Sequence, residues 1–211
     1  MNVNKAYGNI QSGFLGKLLR FPGIALIVHW TFQGVLYMGW TERLYKISLD
    51  IMISFLMFIG FQSILHWKIA LLLSLLTAHT INFFFNGQFW AVLKCFGLVH
   101  TADDEFFSYV KALAQRAGRE PSIQALIAYG SLARKERTPN SDLDARIIRK
   151  PGLVNGIRAC TFLMLERSRA LLARFPLDMY VVDTPFALEK LRPDEREQRI
   201  DLIAQTKSSN H

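Results

Sequence analysis

The chain has 211 residues, with 25 Lys and Arg against 17 Asp and Glu, and a net charge of +8 at pH 7. Its two cysteines, Cys95 and Cys160, lie in different halves, which excludes a four-ligand zinc set, and the sequence has no Walker loop, G-x-S-x-G or GxGxxG motif. Residues 1–100 contain seven cations and two anions, whereas residues 101–211 contain eighteen and fifteen. This change in charge density near residue 100 predicts an all-α apolar region at 1–100, followed by a soluble domain at 101–211 that is long enough for its own core.

Three apolar stretches occupy the first region, at residues 24–40, 47–65 and 69–85. A membrane-spanning helix needs about 20 mostly apolar residues, although about 17 suffice. The second stretch has Asp50 as its one charge and the third has no charge, so both meet this requirement. We therefore expect a membrane-embedded region with two spans, about 47–65 and 69–86. A soluble helical core is the alternative, but the rest of the chain has little apolar surface with which to cover two such helices.

The positions of the cations favour one orientation of this helical pair. Cytoplasmic segments next to spans are enriched in Lys and Arg. Two spans leave only Lys68 outside if the second domain is cytoplasmic, whereas a third span over 24–40 would move the cations of residues 1–20 outside. We therefore expect residues 10–45 to lie along or dip into the cytoplasmic leaflet. The cations on the cytoplasmic side would be Lys5, Lys17, Arg20, Arg43, Lys46 and Lys94.

Polar residues interrupt the third apolar stretch at helical spacing. His79, Asn82 and Asn86 are three and four residues apart, which puts them on one face of a helix. Polar groups at membrane depth mark either a functional site or hydrogen bonds between helices. The two interpretations are a helix-packing face and a face that contacts a lipid-linked phosphate or sugar.

The second region predicts an α/β fold, a small mixed sheet with helices on one face. Apolar runs bounded by turn residues indicate strands, and amphipathic segments between them indicate helices. A short basic helix should follow the first strand. The other predicted elements are a helix from Asp103 to about Ala117, strands at Ile123–Tyr129, Leu143–Ile148 and Leu177–Val182, a helix at Leu153–Phe175 and a final helix from Pro185 to about Ala204.

The turn between the first two strands carries the chemistry. Gly130 and Ser131 end the first strand, and Asp142 and Asp144 start the second. Alternate side chains of a strand point the same way, so the two carboxylates would project together and repel each other unless a cation lies between them. A Gly-Ser turn offers a hydroxyl donor and a backbone that can approach a phosphate. This combination suits phosphoryl or nucleotidyl transfer.

This segment resembles the signature of the DNA polymerase β-like nucleotidyltransferase superfamily in its minimal nucleotidyltransferase form. That signature is Gly-Ser, ten residues, then Asp-x-Asp, and the likeness extends over about residues 101–185. The chain departs from it at Lys135, where the family usually has Gly, and at Ala145, where a larger aliphatic residue is common. The matching residues are Gly130, Ser131, Ala133, Arg134, Ser141, Asp142 and Asp144.

The resemblance implies a metal-dependent enzyme that moves a nucleoside monophosphate from a nucleoside triphosphate, such as ATP, to an acceptor. The family has a third carboxylate on a later strand, a position that Asp178 fits. Asp142, Asp144 and Asp178 would then be the catalytic residues and would hold two Mg²⁺ ions. The nucleotide phosphates would bind at Gly130, Ser131, Arg134 and Lys135.

The acceptor is less defined than the donor. An anchored enzyme predicts an acceptor at the bilayer, either lipid-linked or a protein, in lipid or surface-polysaccharide synthesis. The small catalytic core would take its specificity from the membrane region, a homodimer or a partner protein. The alternatives are a protein-nucleotidylating regulator of the antitoxin type and a non-catalytic nucleotide-binding membrane scaffold. Nucleic acid is a poor fit, because the soluble half has no patch of interleaved basic and aromatic residues.

Overall fold

A computed structural model describes residues 21–35, 37–85, 89–90, 93, 97 and 100–208 of the chain. The predictions made for residues 1–20, Asn86, Lys94 and Cys95 lie outside the described residues. The described part has a helical N-terminal region followed by an α/β domain, as the sequence predicts.

The described part of the N-terminal region consists of three apolar helices: α1 (Pro22–Phe32), α2 (Trp40–Gln62) and α3 (Trp67–Phe85). By length and composition, α2 and α3 can cross a membrane. Large apolar side chains along both helices are exposed, such as Ile51 and Phe55 of α2. Helix α2 begins seven residues before the predicted span because its polar first turns are docked on the α/β domain.

Hydrogen bonds between helices account for His79 and Asn82, the predicted polar residues of α3 that the structure describes. His79 Nε2 lies 2.8 Å from the Trp30 carbonyl oxygen of α1, and Asn82 Nδ2 donates to Asp50 Oδ1 of α2 at 2.9 Å. Gln33, which ends α1 in the left-handed conformation, donates from its side chain to the His79 carbonyl at 2.8 Å. These contacts are those of a helix-packing face, while contact with an acceptor stays a proposal.

A mixed four-stranded sheet in the order β3-β2-β1-β4 forms the centre of the α/β domain. Strand β1 is antiparallel to β2 and β4, whereas β2 and β3 are parallel. Helices α4 and α5 pack on one face of the sheet. The elements are α4 (Asp103–Arg119), β1 (Ile123–Tyr129), β2 (Leu143–Arg149), α5 (Leu153–Leu172), β3 (Leu177–Val182) and β4 (Ile200–Asp201).

The core lies between the sheet and these two helices. Phe106 and Leu113 of α4 and Leu163 of α5 pack against Ile147 and Val181 of the sheet, and all five are buried. Because side chains alternate along a strand, the residues between the core positions of β2 and β3 project from the opposite face. The core therefore fixes which face of the sheet carries the polar residues.

Two predicted helices are absent from the described residues. The final helix is instead a 3₁₀ helix (Pro185–Lys190), two short helices, α6 (Pro193–Glu197) and α7 (Leu202–Ser208), and strand β4 between them. Pro193 explains the break, because proline disfavours the helical conformation in the preceding residue and Arg192 is extended. Only turns follow Gly130, and they end at Lys135 with a φ of 58°. A left-handed residue stops helix growth.

The N-terminal region is joined directly to the edge of the sheet through residues 39–42, here called the 39–42 segment. The Gly39 amide donates to the Val181 carbonyl at 2.9 Å, and the Val181 amide donates to Glu42 Oε2 at 2.6 Å. Both bonds go to the free side of β3. Residues 39–42 therefore belong to the packing of the α/β domain, although the composition of the chain changes only near residue 100.

A buried ion pair reinforces this junction. Glu42 lies 2.9 Å from Arg167 of α5, with side-chain exposures of 1% and 4%. Arg167 also donates to the Met179 carbonyl at 2.5 Å and lies over the Tyr180 ring. The pair thus connects α2, α5 and β3 in a single contact.

Asp183 forms the outer part of the junction, and we expect its replacement by asparagine to have a pH-dependent effect. Burial alone would raise the pKa of Asp183, but hydrogen bonds from Thr41 and Arg149 outweigh it and lower the pKa. The ionised carboxylate therefore stabilises the fold above the unfolded pKa of about 3.9, and this contribution is lost as the pH falls through the folded pKa. The loss at pH 7 should be about 1–2 kcal/mol.

The measurement is thermal unfolding of the full chain in detergent from pH 7 to pH 3. The midpoints of the wild type and Asp183→Asn should converge as the pH falls. Asp104→Asn, at an exposed position of α4, is the control and should follow the wild type throughout. A gap between wild type and Asp183→Asn that stays constant across this range would contradict the prediction.

Candidate active site

The predicted carboxylates lie at one edge of the sheet, where β1 ends and β2 and β3 begin. Asp144, the second residue of β2, is in register with Asp178, the second residue of β3. Neighbouring strands are about 4.8 Å apart, so both carboxylates project side by side from the face opposite the core. Asp142 lies just before β2, and Tyr129 of β1 is opposite Asp144.

Electrostatic repulsion concentrates on Asp144. Its pKa is raised well above the ordinary value, first by burial and then by the negative charges of Asp142 and Asp178. Arg146 acts in the opposite direction. The three carboxylates that the sequence singles out therefore interact in the folded chain, and a cation between them would relieve the repulsion.

The Gly-Ser turn is in contact with this cluster. Gly130 has a φ of 70°, and a Cβ at this position would overlap Asp144 Oδ2. Within the described part of the chain, Ser131 Oγ is one of the buried side-chain atoms that have no hydrogen-bond partner. A buried hydroxyl without a partner costs free energy unless a ligand satisfies it. The turn thus carries an unsatisfied donor one residue after its contact with Asp144.

Gly130→Ala should damage the site because an alanine both strains the backbone and displaces the Asp144 carboxylate. We expect a loss of about 1–3 kcal/mol in stability and a large loss of any Asp144-dependent activity. Thermal unfolding and turnover of the full chain measure the two effects. Gly118→Ala in α4 is the matched control, since its Cβ would meet only an ordinary contact with Ile203 at 3.6 Å. Equal behaviour of the two variants would contradict this account of the turn.

The basic residues of the turn are placed differently from one another. Arg134 Nε lies 3.0 Å from Glu136, and Arg134 Nη1 lies 3.3 Å from Asp194 of α6. Lys135 is exposed and left-handed, at the position where the resembled superfamily usually has Gly. Arg137 lies over the Phe106 ring at 4.2 Å and serves packing. The structure therefore pairs Arg134 with acidic side chains of the turn and of α6.

The carboxylate cluster has the donor chemistry of a magnesium site, although its side chains do not converge. Carboxylate oxygens are the protein ligands that Mg²⁺ prefers. Among the residues that the structure describes, no three His, Cys, Asp or Glu side chains are close enough to hold a metal ion as they stand. Asp178 instead forms a hydrogen bond with the Tyr180 hydroxyl. Asp142, Asp144 and Asp178 thus fit a metal by residue type and by strand placement.

An arginine in an aromatic cage lies beside the carboxylates, and sequence reasoning missed it. The Arg146 guanidinium is 5.0 Å from the Tyr129 ring centre, 4.6 Å from Tyr180 and 5.9 Å from Tyr37. Tyr37 belongs to the N-terminal region. The alternation Asp144-x-Arg146 was visible in the sequence, because it puts both on one strand face. The contacts of Arg146 with the tyrosine rings could not be predicted from the sequence, since they join residues far apart in the chain.

Arg146 supplies a fixed positive charge to the site. Burial lowers the pKa of Arg146, but Tyr129, Asp178, Tyr180 and Asp144 together outweigh this effect and raise it above the usual value. Arg146, a residue that is 5% exposed, is therefore charged at every accessible pH. It offsets part of the carboxylate repulsion, while its contacts are with the three tyrosine rings and the Ala145 carbonyl.

Comparison with known families agrees with the chemistry of the site. The model of the family described as "Putative nucleotidyltransferase DUF294" matches residues 87–175, which is less than half of the chain. The match includes Gly130, Ser131, Asp142 and Asp144 and ends before Asp178. It supports a nucleotidyltransferase domain in this part of the chain. No curated protein and no solved structure matches the chain.

Proposed function

We propose that this chain is a membrane-anchored, metal-dependent nucleotidyltransferase of the minimal DNA polymerase β-like type. It would move a nucleoside monophosphate from a nucleoside triphosphate to an acceptor at the membrane, in lipid or surface-polysaccharide synthesis. One observation carries the proposal: the Asp144 carboxylate lies against Gly130 of the Gly-Ser turn and in register with Asp178. The match to a nucleotidyltransferase family over residues 87–175 supports it.

Each residue of the site has a task in this reaction. Asp142, Asp144 and Asp178 would hold Mg²⁺, which when bound supplies charge neutralisation and lowers the pKa of the attacking hydroxyl. Ser131 Oγ has a hydrogen bond to offer a phosphate oxygen of the triphosphate. The Tyr180 hydroxyl orients Asp178, and Arg146 limits the repulsion among the carboxylates before substrate binds.

The test is transfer of label from α-labelled nucleoside triphosphates by the full chain in detergent, with Mg²⁺ and either a membrane-lipid extract or membrane protein. Label in the lipid fraction supports the proposed acceptor class. Label on protein instead identifies a protein-nucleotidylating regulator. The absence of label and of pyrophosphate release, with nucleotide still bound, identifies a non-catalytic scaffold. The engagement of Arg134 by Glu136 and Asp194 favours this third outcome, because it leaves less positive charge for the leaving pyrophosphate.

The proposed anchor predicts a particular topology. Helices α2 and α3 would form a hairpin across the membrane with the α/β domain in the cytoplasm, where nucleoside triphosphates are found. Reporter fusions after residue 20 and after residue 100 should both read cytoplasmic, and a fusion at Lys68 should read outside. Opposite readings for the first two fusions would require an odd number of spans and contradict the hairpin.

A further inference from the structure

A cavity of about 260 Å³ lies where the two apolar helices meet the α/β domain. Its walls come from α2, α3 and α5 and are mostly apolar, with Leu49 and Ile53 of α2, Ile81 of α3, and Leu163 and Met164 of α5. Helix α5 covers the face of the sheet opposite Asp144. The cavity is therefore separate from the candidate active site.

One end of this cavity is charged, and its charges are not equally satisfied. Glu42 pairs with Arg167, and Asp50 accepts a hydrogen bond from Asn82. Lys46 also lines the cavity, and its hydrogen bond within the described part of the chain goes to the neutral Gln33 side chain at 3.2 Å. An ammonium has three donors. Lys46 therefore retains donors with which to bind an anion in a mostly apolar cavity.

The depth of this charged end matches the surface of a bilayer. Helix α2 has 23 residues, so it is about 34 Å long at 1.5 Å per residue. A hydrocarbon core is about 30 Å thick. Crossing that thickness takes about 20 residues at this rise, so with Gln62 at the far side the near side of the core lies at Glu42. Lys46 would be one turn deeper, from where a lysine side chain can still reach the headgroups, and the apolar walls of the cavity extend from there towards the acyl chains.

We propose that this cavity binds one acyl chain of an anionic phospholipid, with the lipid phosphate beside Lys46. The volume lies below the roughly 300–1,000 Å³ of typical small-molecule sites, so the cavity would hold part of a single chain while the rest of the lipid stays in the bilayer. The lipid would fill the gap between the hairpin and α5. The proposal rests on the membrane insertion proposed above, but it is independent of nucleotidyl transfer.

The experiment measures bound phospholipid by native mass spectrometry of the full chain, purified from vesicles that contain phosphatidylcholine and phosphatidic acid in equal amounts. The wild type should retain one phosphatidic acid in preference to phosphatidylcholine. Leu49→Trp, which fills the cavity, should lose that lipid. Ile51→Trp, two residues away at a position 66% exposed, is the matched control and should retain it.

The charge of Lys46 is tested separately. Lys46→Met should reduce the preference for phosphatidic acid about fivefold, which corresponds to about 1 kcal/mol for one cation at an anionic surface. Lys46→Arg should restore the preference, and Lys68→Met, at the other end of the hairpin, should leave it unchanged. A fatty acid is then added in place of phosphatidic acid. If it is retained equally well, the acyl chain is the main determinant of binding; if it is not, the phosphate is.

Two results would overturn the proposal. One is equal lipid retention by Leu49→Trp and Ile51→Trp, and the other is a wild type that retains no phospholipid although it resists alkaline extraction from membranes. Extraction by alkali would instead mean that the chain is not inserted, which contradicts the proposed anchor as well. Pyrophosphate release, measured on the same samples, reports on the enzymatic proposal alone.

Discussion

Asp144→Asn should lower magnesium-dependent pyrophosphate release by about 10³-fold or more. Asp144 is the centre of the carboxylate cluster, and its loss removes a metal ligand that would stabilise charge in the transition state by several kcal/mol. A loss of about 4 kcal/mol corresponds to this factor. The measurement is the initial rate of pyrophosphate release by the full chain, with and without Mg²⁺.

Stability distinguishes a local effect of this variant from misfolding. The ionised Asp144 destabilises the metal-free fold, because burial and two like charges raise its pKa. Asp144→Asn should therefore unfold at the same temperature as the wild type or above it when EDTA is present. Asp104→Asn controls for the loss of one negative charge elsewhere. A fully active Asp144→Asn would remove the basis of the proposed active site.

Arg167→Met should cost about 3–5 kcal/mol in stability, the largest structural effect that we expect from one substitution. Glu42 is 1% exposed and would remain as a buried carboxylate without its counter-charge. The Met179 carbonyl would also lose its hydrogen bond from the guanidinium. Chemical denaturation of the full chain in detergent measures the change.

The double variant Glu42→Gln/Arg167→Met provides the comparison. It removes both charges, so most of the lost stability should return. On the same helix, Arg158→Met breaks a pair with Glu120 in which Arg158 is 50% exposed, and it should cost no more than about 1 kcal/mol. Equal losses in Arg158→Met and Arg167→Met would show that the burial of the Glu42 pair has no energetic consequence.

Local patterns in the sequence predicted most of the α/β domain. The bounds of β1 and β3 are those expected from their apolar runs, and β2 is one residue longer at Arg149. The order strand, Gly-Ser, Asp-x-Asp indicated the neighbourhood of Gly130 and Asp144. Periodicity and turn residues act over a few positions, so such features can be read without knowledge of the fold.

Long-range contacts explain what the sequence did not reveal. The prediction of a single final helix was wrong because Ile200 pairs with Ala128, more than seventy residues away, and so belongs to a strand. The cage around Arg146 and the pair between Glu42 and Arg167 join segments whose spacing carries no periodic signal. The prediction of a short helix after Gly130 failed for a local reason: Lys135 adopts the left-handed conformation, which composition rarely indicates.

The contacts of the 39–42 segment with Val181 also bear on self-association. Strand β3 is at one end of the sheet, and a bare end strand is a template for pairing with another chain. The Gly39 amide is bonded to the Val181 carbonyl and the Glu42 carboxylate to the Val181 amide, so both backbone groups of Val181 are closed to another chain. A fragment cut at residue 100 would reopen it and should aggregate through β3, whereas a fragment that begins before Gly39 should retain its own protection.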